Sequence, residues 1–204
     1  MHKWLHYFDI YHRYFHRYRG RPITFVEIGV QHGGSLPMWQ EYFGPKARIV
    51  GVDIDQRCRA LAEDGFEVFI GDQADAGFLS SLVDELGSID ILLDDGGHRM
   101  SQQKLSFHNL YPAVAEDGLY VVEDTHTSYW RSHEGGLRRE NTFIEFAKEL
   151  TDQLHAWHGE KDSGLVVDGF TTSTMAIHFY DSMVVFEKGR RERPLALAIG
   201  NPSF

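Results

Sequence analysis

The chain has 204 residues, 42% hydrophobic and 25% charged, which fits one globular domain and excludes a disordered tail, a collagen-like fibre or a low-complexity scaffold. Thirty acidic against 20 basic side chains leave a net charge of −10, a surface that repels phosphate backbones and argues against nucleic acid as a partner. No apolar run approaches the roughly 20 residues that span a bilayer, the N-terminus lacks the pattern of a signal peptide, and a single cysteine, Cys58, suits a reducing, cytoplasmic compartment. Residues 3–18 predict a helix, because Trp4, Leu5, Phe8, Tyr11 and Phe15 recur at spacings of three and four and form one aromatic stripe. Gly20 and Pro22 stop it. Residues 1–21 form an arm with five basic side chains and one acidic, against 15 and 29 in the remainder. The stripe suits a helix packed on its own domain. Its width and the opposed charges also predict a homo-oligomer, with residues 3–18 at or near a subunit contact.

From residue 22 the pattern becomes a strand–helix alternation. Strands are predicted over 23–30, 47–54, 66–72, 89–95 and 118–124, and helices over 35–43, 56–64, 78–86 and 101–115. Near-continuous apolar strands separated by helices imply a parallel sheet covered on both faces. A long helix over 142–157 follows, then two strands within 174–188 turned at Tyr180-Asp181-Ser182. A tight turn makes that last pair antiparallel. The expected architecture is an α/β, doubly wound, mostly parallel seven-stranded sheet with an antiparallel C-terminal hairpin, filling residues 22–204.

Four segments carry chemistry. The Glu27-to-Ser35 segment, with Gly29, ends a strand in an acid and turns through glycines into a helix. Its spacing departs from the dinucleotide fingerprint, and a carboxylate there favours a ligand with an ammonium group over a pyrophosphate. Asp53 ends the second strand and suits both ribose hydroxyls of an adenosine-type cofactor; Asp55 reads as a helix N-cap. Asp72, followed by Gln73, either caps a helix or holds an adenine amino group. The fourth segment pairs Asp94-Asp95-Gly-Gly-His98 with Glu123-Asp124. Neighbouring parallel strands bring these acids to one mouth, where they repel unless a divalent cation, Mg²⁺ or Ca²⁺ rather than zinc, joins them. Alternatively Asp94 and Asp124 only cap helices. His98 follows a glycine turn and is a candidate general base.

The segments FVEIGVQHGGSLPMW, GVDID, GDQAD, DILLDDGGHRM and VVEDTHTSYW together resemble the class I S-adenosylmethionine-dependent methyltransferases. More narrowly they are similar to the metal-dependent O-methyltransferases acting on macrolide sugars, the mycinamicin and demethylmacrocin type. The resemblance implies Mg²⁺ bound by Asp95, Glu123 and Asp124, with His98 as catalytic base. It implies S-adenosylmethionine contacts at Glu27, Gly29, Ser35, Asp53, Asp72, Gln73 and Asp94, with Asp94 or Asp95 near the amino-acid end. The acceptor would be a hydroxylated small molecule, a sugar or glycosylated natural product, met by a loop carrying His126, Tyr129 and Trp130. A catechol-type acceptor is the nearest alternative. A nucleotide-cofactor oxidoreductase is opposed by Glu27 and the glycine spacing, and a noncatalytic cofactor-binding module by the complete carboxylate set with His98.

Overall fold

The computed structural model describes residues 2–201; the outer ends of the two expected segments, residues 1 and 202–204, lie outside it. Helix α1 (Tyr7–Phe15) opens the chain and runs into a 3-10 turn, His16–Tyr18. Then follow β1 (Thr24–Ile28), α2 (Leu36–Phe43), β2 (Arg48–Asp53), β3 (Glu67–Ile70), α3 (Ala76–Leu86), β4 (Ile89–Asp94), α4 (Met100–Leu110) and β5 (Val114–Val122). Helices α5 (Phe143–Leu154) and α6 (Gly169–Ser173) precede the hairpin of β6 (Thr174–Tyr180) and β7 (Met183–Lys188). The expected short helix after β2 is a 3-10 run, Gln56–Ala62.

The seven strands lie in the order β3-β2-β1-β4-β5-β7-β6. The first five pair in parallel, while β7 runs antiparallel to both β5 and β6. Alternation along each strand sends neighbours to opposite faces. Phe25, Ile91, Leu93 and Val121 meet α1 and α2 through Tyr11, Phe15, Trp39 and Phe43. Val26, Leu92 and Tyr120 meet Leu79, Phe107 and Phe143 of α3, α4 and α5 on the other face. Both faces are covered, which is why these strands read as continuous apolar runs.

The stripe at the N-terminus divides. Tyr7, Ile10, Tyr11, Tyr14 and Phe15 are buried on the sheet, whereas Trp4, Leu5 and Phe8 stay exposed. The helix expected over 101–115 ends at Leu110, because Pro112 cannot continue the ladder and restricts its predecessor. The direction of winding reverses between β1 and β4. In such sheets ligands bind outside the carboxyl ends of the strands at that switch point.

Candidate active site

Two adjoining cavities open at the switch point. One is lined by Asp53, Asp72, Gln73 and Gly96, the other by Ser35, His98, Asp124 and Lys3; Gly29, Gln31 and Asp95 border both. Together they form a cleft from the end of β2 to the ends of β4 and β5. Gly29 makes the passage possible. Its φ is +90°, and a Cβ there would stand 2.1 Å from the Asp95 carbonyl oxygen, a separation no side chain tolerates. The β1–β4 register continues past the strands, with the Asp95 amide donating to the Ile28 carbonyl at 3.0 Å.

At the β2 end, Asp53 accepts backbone amides on both oxygens, from Gln31 and Asp55, each at 2.8 Å. These bonds fix the carboxylate at the mouth of the cleft. Asp55 caps the following turn as expected, accepting from the Arg57 amide. Asp72 accepts from the Ala74 amide at 2.8 Å while lining the cleft, whereas the N-cap of α3 is Asp75. The Gln73 side-chain oxygen Oε1 holds the glycine turn by accepting from the Gly97 amide at 2.6 Å.

At the other end, Asp95, His98 and Asp124 each offer a ligand atom, all within 4.8 Å of one another. His98 Nε2 lies 3.9 Å from Asp95 Oδ1 and 3.5 Å from Asp124 Oδ2. His98 and Asp124 both have left-handed backbones, φ 54° and 52°, which cost about 1–3 kcal/mol each and concentrate at functional sites. The His98 carbonyl is anchored by the Thr127 hydroxyl at 3.0 Å. Burial lowers the pKa of His98 despite the nearby Asp124, which favours the neutral imidazole.

Glu123, expected beside these residues as an ion ligand, faces an ammonium group instead. Lys3 Nζ lies 2.6 Å from Asp95 Oδ2, 3.1 Å from Glu27 Oε1, and 3.1 and 3.2 Å from the two oxygens of Glu123. Its side chain is 3% exposed. Burial opposes the Lys3 charge, yet Glu123, Glu27 and Asp95 more than offset it and raise its pKa. Burial, then the Glu123 charge, raises Asp95; burial also raises Glu123. Glu27, expected to receive a ligand's ammonium, is filled by this one, with Ser35 donating to its other oxygen at 2.5 Å. The site thus already draws a positive charge, and among the described residues it leaves two carboxylate oxygens, Asp95 Oδ1 and Asp124 Oδ2, beside a histidine. That donor set fits a hard divalent cation.

Asp94 departs from expectation. It is fully buried, bonded to Gln73 Nε2 at 3.1 Å, and lines neither cavity. Strand alternation turns it into the sheet's face, so only its neighbour Asp95 reaches the mouth. In the loop after β5, His126 bonds the Ser182 hydroxyl and packs edge-on to Trp130 at 4.6 Å between centroids. Tyr129 and Trp130 are each 49% exposed. Trp4 reaches the same rim, 6.1 Å from the His126 ring. Lys3, Tyr7 and Tyr11 were missed from the sequence, their only signal being a four-residue spacing hidden in the aromatic stripe.

A family model described as a methyltransferase domain matches residues 26–125. The 8-demethyl-8-(2-methoxy-alpha-L-rhamnosyl)-tetracenomycin-C 3'-O-methyltransferase of Streptomyces olivaceus is 37% identical, over 92% of this chain and 50% of its own. The demethylmacrocin O-methyltransferase of Streptomyces fradiae is 36% identical over the same shares. The solved MycE methyltransferase from the mycinamycin biosynthetic pathway, in complex with Mg and SAH, has a TM-score of 0.84 at 34% identity, covering 93% of this chain and 51% of that one. The chain spans about half the length of the curated relatives it matches.

Proposed function

Since the chain belongs to the methyltransferase-domain family and has its class I fold, we propose that it moves a methyl group from S-adenosylmethionine to a hydroxyl of a sugar or sugar-bearing natural product. The observation that carries this reading is the cleft itself. It joins Asp53 and Asp72 at one end to Asp95, His98 and Asp124 at the other, so a cofactor along it would point its methyl group at the ion site.

Asp53 would receive the ribose hydroxyls, and Asp72 with Gln73 would border the adenine. Asp95 and Asp124 would hold Mg²⁺, with Glu123 adjoining them. A bound ion would supply Lewis acidity toward a pair of acceptor oxygens. Mg²⁺ prefers oxygen to nitrogen, which leaves the half-buried His98, whose pKa burial lowers, to take the acceptor proton. Gly29 and Asp95 would hold cofactor and acceptor in line, and alignment is where much of the acceleration would arise. The exposed faces of Tyr129 and Trp130, with His126 behind them, would receive the apolar face of the sugar. Tetracenomycin and macrolide relatives favour a glycosylated acceptor. Among the described residues no helix is long and apolar enough to cross a membrane, and the buried Cys58 thiol supports a reducing, cytoplasmic setting.

The test is methyl release from S-adenosylmethionine over an acceptor panel of rhamnosylated polyketides, macrolides and catechols. Transfer to a sugar hydroxyl that stops with chelator and returns with Mg²⁺ is expected. His98→Ala should retain cofactor and Mg²⁺ affinity but lower kcat by about 10²–10⁴, with partial recovery at high pH. Transfer to catechols alone would reassign the acceptor class.

A further inference from the structure

The carboxylates of the ion site are gripped from one side by the N-terminal arm. Lys3 lies in the lead-in to α1, Tyr7 opens the helix, and Tyr11 follows one turn later, so the two phenols share a face. Tyr7 donates to Asp124 Oδ1 at 2.7 Å, while Lys3 holds Asp95 Oδ2 at 2.6 Å. Tyr11 donates to Glu123 Oε1. Tyr7 has a single proton; the Ser182 carbonyl at 3.1 Å is the more distant acceptor, so the proton goes to the carboxylate. The Asp124 amide in turn donates to the Tyr7 oxygen at 3.3 Å, which closes a two-point grip on one residue.

The consequence lies in the other oxygen of each acid. Rotation of a carboxylate about its terminal bond is soft, with broad wells. Fixing one oxygen fixes its twin. Asp124 gives Oδ1 to Tyr7 and turns Oδ2 toward His98 at 3.5 Å; Asp95 gives Oδ2 to Lys3 and turns Oδ1 toward the same imidazole at 3.9 Å. The two oxygens left over are those that share a space with His98.

We propose that Tyr7 and Lys3 are positioning residues for the ion site: each claims one oxygen of a ligand carboxylate and thereby aims the other at the ion. The arm is then part of the active site and not only a packing element. This rests on the reading of Asp95 and Asp124 as ion ligands.

The test titrates Mn²⁺ alone into the full chain, with affinity from calorimetry and ligand symmetry from the electron paramagnetic resonance spectrum. Tyr7→Phe keeps the ring and removes the donor. It should weaken Mn²⁺ binding at least about fivefold, the worth of one hydrogen bond, and broaden the hyperfine pattern. Affinity for S-adenosylhomocysteine should stay within about twofold of the parent's, since Tyr7 lines neither cavity. Tyr14→Phe, on the same helix but bonded to the Tyr180 hydroxyl, should leave affinity and spectrum unchanged. Lys3→Met removes the other grip, and Tyr7→Phe, which keeps the ring, is the milder of the two changes; Lys3→Met should also broaden the spectrum. Unchanged affinity and spectrum in Tyr7→Phe, or an unchanged spectrum in Lys3→Met, overturns the proposal. A parent chain that binds no Mn²⁺ overturns the ion site and this proposal together, whereas an ion bound alike by parent and variants overturns the positioning role alone.

Discussion

Asp53 and Lys3 are the two residues whose removal separates cofactor from ion. Asp53 already accepts two amides, so its orientation survives without ligand, and the remaining lone pairs face the cleft. Losing two charge-assisted bonds at roughly 1.5–3 kcal/mol each should lower S-adenosylmethionine affinity at least about tenfold in Asp53→Ala. Calorimetric titration checks this, with Mg²⁺ affinity unaltered. Lys3 is the counter-charge of Glu27, Asp95 and Glu123. Lys3→Met leaves buried acids uncompensated, a loss of about 3–5 kcal/mol that denaturant melts of the metal-free variant measure. Asp94, Asp95 and Glu123 set the pH dependence. Burial raises Asp94 to about 6, and raises Asp95 and Glu123 as well. A carboxyl whose folded pKa is raised contributes fully below its unfolded value of about 4, and that contribution is lost as pH climbs through the folded value. The metal-free protein should therefore melt lower at pH 8 than at pH 5. Saturating Mg²⁺ should narrow the difference, because ion binding favours the deprotonated ligands.

Where β1 meets β4, backbone geometry decides whether the cleft exists. Gly29 at φ +90° brings the first turn against the Asp95 carbonyl. Gly29→Ala forces a strained backbone and a clash at once, so the ends of β1 and β4 must part. A stability loss above about 2 kcal/mol is expected, with cofactor and Mg²⁺ affinity falling together; denaturant melts and titrations of the folded variant measure both. The strands themselves were legible, since apolar runs such as Ile89–Asp94 are buried on both faces, and the turn expected at 180–182 falls where Asp181 and Ser182 join β6, which ends at Tyr180, to β7. The division of labour within the acidic pairs was not. Asp94 and Asp95 are equivalent in a string of letters, and only the pleat turns one onto Gln73 and the other toward the mouth. The phenols were hidden for a related reason. Tyr7 and Tyr11 bury apolar rings in the core and spend their hydroxyls on acids more than 100 positions away, and spacing reports only the ring.

Assembly is the question that belongs to the molecule as a whole. The buried side of α1 is consumed within the chain, but Leu5 is 86% exposed, Trp4 50% and Phe8 38%, three large apolar side chains left open within five residues of sequence. Removing the arm would not isolate its role, because Tyr7, Tyr11 and Phe15 would leave the core with it. Leu5→Glu with Phe8→Glu keeps the buried face and charges the open one. If the chain is a homo-oligomer joined along this edge, burying a leucine and a phenylalanine supplies roughly 1.5–3 kcal/mol each, and two carboxylates in their place are excluded from a dry contact. Light scattering should then give the parent a mass of at least two chains and the double variant the mass of one. The melting temperature of the variant should fall only by what association contributed, so it should become independent of protein concentration while the parent's rises with it. A double variant of the parent's size would remove this edge from any assembly the protein forms.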